Sequence, residues 1–328
     1  MKKESIYEAM QNDIMNANIS ENDKNKMLKN VMRLKNQKMN IMITGATGCG
    51  KSSTINAMFN TEVAKVGVGV DPETMEIRKY ELDNLVLWDT PGLDDGKEAD
   101  NRYTKNIIKK LLEVDKNTFD LVLVILDGGR GDLGISYELI NKAIIPNLGK
   151  GKENRILVAI NQADTAMKGY NWDRDKNEPN QKLVKFLEEK VRSVRDRVYE
   201  ATGVTIEPIY YSAGYKDEER EQSRPYNLSK LLYYIVKATP SEKRAIYVNN
   251  INENREMWRD DDKLLDYGEA TRKSIFESIR EGASAGAGIG GAIGGAIDGI
   301  LGSEGESIFR GVGEAIGGII GGIIGFFF

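Results

Sequence analysis

Residues 45–52 read Gly45-Ala46-Thr47-Gly48-Cys49-Gly50-Lys51-Ser52, the spacing G-x-x-x-x-G-K-S, entered from an apolar run over 39–44 and followed by Ser53 and a helix-compatible stretch. Backbone N–H groups line the inside of such a loop only where the chain adopts dihedrals that favour glycine. The helix that follows adds partial positive charge at its N-terminus. The segment therefore predicts a strand–loop–helix unit that cradles phosphate, and it commits the chain to an α/β fold with crossover helices. Lys51 is expected to reach the β- and γ-phosphates of a nucleotide, and the Ser52 hydroxyl to ligate Mg2+. Cys49 reads as a small residue filling a tight loop, since a reactive thiolate needs a lowered pKa that nothing in the sequence supplies.

The pattern over 39–240 agrees with that commitment. Strands are expected at Met39–Thr44, Met75–Leu82, Leu85–Asp89, Phe119–Leu126, Arg155–Ile160 and Ile206–Tyr211, with helices over 52–60, 101–114, 134–145, 180–201 and 227–238. Asp83-Asn84 between two β runs reads as a hairpin. The runs LVLVIL and ILVAI lack polar alternation, as in strands covered on both faces. The expected fold class is an α/β P-loop NTPase domain with a mostly parallel six-stranded sheet and helical additions at both ends. Four segments follow: a helical extension over 1–38, the nucleotide-binding domain over 39–240, a charged helical segment over 241–282 and a glycine-rich tail over 283–328. In the first, Ile6, Met10 and Ile14 mark one short helix; Ser20 as N-cap, with Met27, Val31 and Leu34, marks a second. The mixed charges of 241–263 read as a solvated face.

Composition narrows the chemistry. The 328-residue chain has no histidine and one cysteine, which removes imidazole bases, histidine triads and the usual zinc sites. The net charge of −4 gives no global attraction to nucleic acid. The lysines and arginine over 24–38 form a basic stretch for which a solvated face is the preferred reading over RNA or lipid contact. A lone cysteine and an N-terminus with no apolar core lead to an expected cytoplasmic location.

Two later motifs address which nucleotide is held. In VLWDTPGLDD, Asp89 ends a strand and supplies a carboxylate for the metal, Thr90 and Pro91 turn the chain, and the Gly92 amide can meet a γ-phosphate only while one is present. In ILVAINQADTA, Asn161, Gln162 and Asp164 fall at a strand's C-terminal edge, where open α/β sheets bind ligands. A carboxylate at Asp164 can accept both the N1–H and the exocyclic amine of guanine; adenine lacks that donor pair. Ser212 and Ala213 follow the last strand, where a backbone amide is placed to meet the guanine oxygen.

Taken in order, GATGCGKS, DTPG, NQAD and SAG resemble the first, third, fourth and fifth nucleotide-binding boxes of the translation-factor-related GTPases. The Era-like branch is nearest, and within it the bacterial YfjP-type GTPases; ETMEIRKYELDNLVLWDTPG is also similar to immunity-related GTPases. The resemblance covers residues 38–240 and implies binding of GTP and GDP with Mg2+, and hydrolysis by in-line attack of water, with Lys51, Gly92 and a Mg2+-gripping threonine in the catalytic roles. Thr74 and Thr61 are the candidates for that threonine, and Thr74 is chosen on its distance from the hairpin. Two positions depart from the pattern. Gln162 stands where the related boxes have lysine. Leu93 stands where some families carry a catalytic glutamine, which implies slow or partner-stimulated hydrolysis. Asp94 and Asp95 are nearby polar groups best read as solvated loop residues.

In the tail, Gly286, Gly290 and Gly294, then Gly313, Gly317, Gly321 and Gly325, recur every four residues. On helices these make bare stripes that let another helix approach, the pattern of a glycine-zipper hairpin. The expected partners are a membrane, contacted peripherally or by insertion, or a further copy of the chain, including a homodimer. Ribosome or RNA association is the weaker reading, because no KH-like loop follows residue 240. An ATP-dependent small-molecule kinase and a binding-only pseudo-GTPase complete the alternatives.

Overall fold

The computed structural model describes residues 6–16, 20–59, 77–82, 84–93, 96–112, 119–149, 151, 154–214, 224–252, 254–271 and 273–275. Its strands in chain order are β1 (Met39–Gly45), β2 (Arg78–Leu82), β3 (Leu85–Asp89), β4 (Leu121–Asp127), β5 (Ile156–Asn161), β6 (Trp172–Asp173), β7 (Glu178–Pro179) and β8 (Ile209–Tyr210). Its helices are α1 (Ile6–Asn16), α2 (Glu21–Lys35), α3 (Lys51–Phe59), α4 (Lys97–Leu112), α5 (Gly134–Glu138), α6 (Ile145–Asn147), α7 (Gln181–Thr202) and α8 (Leu228–Ala238). The main sheet runs in the order β2-β3-β1-β4-β5-β8. All its pairings are parallel except β2 with β3, where Leu82 faces Leu85 across the expected hairpin. Thr61, Thr74, Asp94, Asp95 and the tail over 283–328 lie outside the described residues.

The strands carry apolar residues on both faces, and alternate residues sort into two cores. Ile41, Ile43, Leu123 and Ile125 bury against one set of helices; Met42, Val122, Val124 and Val158 bury against the other. That is the arrangement continuous apolar strands require. The first core takes in Tyr7 and Ile14 of α1, Val31 and Leu34 of α2, and α8. The second is covered by α4, α7 and the turns between α5 and α6.

Two elements differ from the sequence reading, each for a proline. The expected helix over 134–145 is interrupted by a π-helical turn over Leu139–Ile144 before α6. Pro146 has no N–H to give and its ring crowds the carbonyl four residues back, so the preceding turn widens. The expected strand Ile206–Tyr211 pairs only through Ile209 and Tyr210. Pro208 cannot donate to the ladder, so Ile206 is buried without joining it.

The segment after residue 240 also differs: it is neither continuously helical nor a solvated face. It runs as 3-10 turns over Ser241–Asn249 and Arg255–Met257, followed by helical residues 267–271 and 273–275. Ala245, Ile246, Tyr247, Ile251 and Trp258 are buried in the first core. Its charges are paired against the domain: Lys243 with Asp120 at 2.7 Å, and Asp261 and Asp262 with Arg224 and Lys230, each at 2.6 Å. Asn252 closes the C-terminus of α3. Its backbone N–H donates to the Met58 carbonyl (2.7 Å) and its side-chain amide to the Ala57 carbonyl (2.9 Å).

Candidate functional site

The loop between β1 and α3 has the conformation its glycines require. Gly48 and Gly50 sit at φ 78° and 89°. A Cβ on Gly45 would lie 2.2 Å from the Ile125 carbonyl, and one on Gly50 2.2 Å from Asn161 Nδ2, so neighbouring elements press against the loop at both ends. Between them, nothing lies within 4 Å of a Cβ position at Gly48. Lys51, Ser52 and Ser53 form the first turn of α3. The Lys51 ammonium donates to the carbonyls of Gly45 (3.3 Å) and Ala46 (3.2 Å), which hold it over the loop. Cys49 is fully buried and its thiol is pushed up by burial, the state of a packing residue rather than a nucleophile.

The segment after β3 lies along this loop as an extension of the sheet. Thr90 N–H donates to the Ile43 carbonyl (3.0 Å), Leu93 N–H to Gly45 (3.3 Å), and Thr47 N–H to Leu93 (2.7 Å). The Thr90 hydroxyl reaches Thr44 Oγ1 at 2.8 Å. Pro91 is buried, and Gly92 is placed so that a Cβ would come within 2.2 Å of Thr47 Oγ1. Leu93 is buried at 2% exposure, so its side chain belongs to the core.

Asp89 ends β3 buried, and its Oδ1 has no hydrogen-bond partner. Burial raises its pKa from 3.8 to about 6, against the pull of Lys51 and Arg78. A buried carboxylate with an unsatisfied oxygen beside the start of α3 fits a divalent cation held with the Ser52 hydroxyl.

The third group of residues is tied to the first across the sheet. Asn161 Nδ2 donates to the Cys49 carbonyl (2.9 Å), while its Oδ1 accepts from Ala213 N–H (2.9 Å). Gln162, at φ 60°, donates through Nε2 to the Gly48 carbonyl at 2.5 Å. The Gln162 amide thus ties the turn after β5 directly to the phosphate loop. Asp164 Oδ1 accepts from Ser212 Oγ at 2.6 Å. The backbone amides of Ser212 and Ala213 are both engaged, the former by the Tyr226 carbonyl at 3.0 Å.

Sequence reasoning missed several supporting residues. Lys190 of α7 donates to the carbonyls of Asp127 (3.1 Å), Gly128 (2.8 Å) and Arg130 (2.6 Å), bracing the turn after β4. From that turn the Arg130 guanidinium reaches the Thr47 carbonyl at 3.4 Å. Tyr211 OH bonds Thr54 Oγ1 at 2.7 Å and so fixes α3 to the end of the sheet. Lys190 is one of three lysines on α7, and only the fold sets it apart.

Residues 40–162 match the family model described as 50S ribosome-binding GTPase. The chain is 35% identical over 147 residues to Translocase of chloroplast 34 of Pisum sativum, covering 42% of this chain and 46% of that protein. It is 36% identical over 83 residues to Interferon-inducible GTPase 1 of Mus musculus, covering 24% of this chain and 20% of that protein. The matches thus span less than half the length of these curated relatives. Among solved structures, a dimerization-deficient mutant of Toc33 from Arabidopsis thaliana is 18% identical with TM-score 0.41, covering 63% of this chain and 86% of that one. Era of Aquifex aeolicus is 20% identical with TM-score 0.40, covering 62% and 57%. The fold is that of an α/β P-loop GTPase domain, with a mostly parallel six-stranded sheet and one antiparallel pair.

Proposed function

We propose that the protein is a Mg2+-dependent switch that binds and hydrolyses GTP, with a glycine-rich tail that serves membrane association or self-assembly. One observation carries the nucleotide reading. Asn161 and Gln162 hydrogen-bond the carbonyls of Cys49 and Gly48, so the phosphate loop is tied directly to the segment that carries the Asp164–Ser212 pair, at the C-terminal edge of the parallel strands. That edge is where such sheets bind ligands. In this reading the loop amides of residues 45–52 and Lys51 hold the phosphates, and Asp164 accepts the two donors of guanine. Ser52, Asp89 and Thr74 hold Mg2+, which supplies charge neutralisation of the transferring phosphoryl.

Leu93 presents a buried apolar side chain where a water-orienting group would stand, which supports slow intrinsic turnover. Among the described residues no helix is long and apolar enough to cross a membrane; the membrane role proposed here is assigned to the tail on its glycine spacing. Ribosome association is the second reading, favoured by the family description for residues 40–162. The deciding experiment measures GTP, GDP and ATP binding with phosphate release, with flotation on liposomes and co-sedimentation with ribosomal subunits run on the same preparation. GTP binding without ATP binding, and liposome flotation lost on truncation at Gly282, support the proposal. Equal binding of ATP, or of neither nucleotide, overturns it.

Asp89→Asn supplies a prediction with two opposite signs. The carboxyl is raised in the folded protein, so the cost of its buried charge is absent below about pH 3.8 and complete above about pH 6. Removing that charge is expected to stabilise the nucleotide-free protein by about 1–2 kcal/mol at pH 7.5. The gain should shrink as the pH falls from 6 towards 4. The same change is expected to weaken the Mg2+ enhancement of GTP binding by about tenfold, one lost charged ligand. Thermal unfolding at several pH values, and GTP titration with and without Mg2+, check the two halves separately.

A further inference from the structure

The insertion between Asp164 and α7 is not used by the proposed reaction, yet it is built with care. A 3-10 turn over Ala166–Gly169 wraps back on Asp164, with Met167 and Lys168 both at positive φ and a Gly169 Cβ position 3.5 Å from the Asp164 carbonyl. The chain then forms the β6–β7 hairpin, in which Trp172 faces Pro179 and Asp173 faces Glu178. Asp173 Oδ1 accepts from the amides of Asp175 and Lys176, both at 3.1 Å, which closes the turn. At its base Asn180 N–H donates to the Asn171 carbonyl (2.9 Å), and its side chain caps α7 through Leu183 N–H (3.0 Å).

This hairpin grips the strand that supports the base-recognition loop. Asn177, in the left-handed region at φ 56°, donates through Nδ2 to the carbonyls of Arg224 and Pro225, both at 3.2 Å. Trp172 meets the Tyr226 ring edge-on, centroids 5.2 Å apart and planes at 82°. Tyr226 exchanges both backbone hydrogen bonds with Ser212, at 3.0 and 2.9 Å. Ser212 Oγ in turn donates to Asp164 Oδ1 at 2.6 Å. The hairpin, Arg224–Tyr226, Ser212 and Asp164 therefore form a closed ring of contacts, both ends of which are rooted in the same insertion.

We infer that the β6–β7 hairpin is a strap that sets the orientation of Asp164, with Asn177 and Trp172 as positioning residues for guanine recognition. This rests on the proposed GTP reading and deepens it. Neither residue belongs to the phosphate or metal groups. Their loss frees Tyr226 and Ser212 to shift, and the carboxylate then loses its alignment with the N1–H and the exocyclic amine together.

Two full-length variants test the strap. Asn177→Gly deletes the amide while keeping the left-handed backbone unstrained, and Trp172→Leu deletes the ring contact. The readouts are the release rate of a fluorescent GDP analogue, the affinity ratio of GTP to ITP, which lacks the exocyclic amine, and kcat at saturating GTP. Release about tenfold faster, as expected for about one effective hydrogen bond lost, a narrowed GTP:ITP ratio and kcat within about twofold support the inference. Unchanged release in both variants overturns it. Equal weakening of GTP and ITP also overturns it, because that is what a merely structural role would give. If the unmodified protein fails to prefer GTP over ATP, the underlying nucleotide reading fails instead.

Discussion

Asp164→Asn is expected to exchange the base preference of the site, from guanine to xanthine. One carboxylate oxygen, Oδ1, is already committed to the Ser212 hydroxyl at 2.6 Å. Asparagine keeps that acceptor with its own Oδ1, so its amide nitrogen replaces the oxygen that faces the ligand. Guanine then meets a donor where it needs an acceptor, losing two charge-assisted hydrogen bonds at about 1.5–3 kcal/mol each. GTP affinity is expected to fall about 10²- to 10³-fold or more. Xanthine carries a carbonyl in place of the exocyclic amine and accepts from the new amide, so XTP should bind the variant more tightly than GTP does. Competition against a fluorescent GDP analogue, with GTP, XTP and ATP as competitors, gives the result directly. XTP binding also shows that the variant is folded. GTP affinity unchanged within about threefold would remove Asp164 from base recognition and, with it, the choice of guanine over adenine.

The sequence made some of this legible and hid the rest for physical reasons. The phosphate loop is local: glycines, a lysine and a helix start within eight residues, so spacing alone describes it. The Asp83-Asn84 hairpin and the covered strands are local in the same sense. By contrast, the bonds from Asn161 to Cys49 and from Gln162 to Gly48 join residues more than a hundred positions apart, and only the motif resemblance placed them in one site. The buried character of 241–262 was hidden because Ala245-Ile246-Tyr247 fall in a 3-10 turn and Trp258 follows another, so neither falls at helical spacing. Its charges read as solvated because Asp261 and Asp262 find their partners, Arg224 and Lys230, on a segment more than thirty residues earlier. Pro146 and Pro208 were visible, but their effects on helix pitch and strand length depend on neighbours that a single sequence does not reveal. The hairpin over 171–180 carries only two-residue strands, too short for any alternation to mark.

Gly92→Ala is expected to abolish most GTP turnover while leaving GDP affinity nearly intact. The added Cβ would sit 2.2 Å from Thr47 Oγ1, 2.6 Å from its Cα and 2.7 Å from its backbone nitrogen. Two of those contacts are main chain, so no rotamer change relieves them and the segment after β3 must move off the phosphate loop. The bonds that hold it there, Thr47 N–H to Leu93 and Leu93 N–H to Gly45, are then stretched or lost, whereas Thr90 N–H to Ile43 lies further back and can persist. The Gly92 amide is the group proposed to meet the γ-phosphate, and GDP has none. Loss of an aligned main-chain donor at the reacting phosphoryl is expected to lower kcat by about 10²- to 10³-fold. GDP binding should change by no more than a few-fold, and the preference for GTP over GDP should disappear. Single-turnover hydrolysis and paired GTP and GDP titrations measure both. Thr47→Gly as a second change removes only the hydroxyl contact, so it should not rescue turnover. Full rescue would place the clash in the side chain alone and would show that the backbone pairing of these two loops does not govern the reaction.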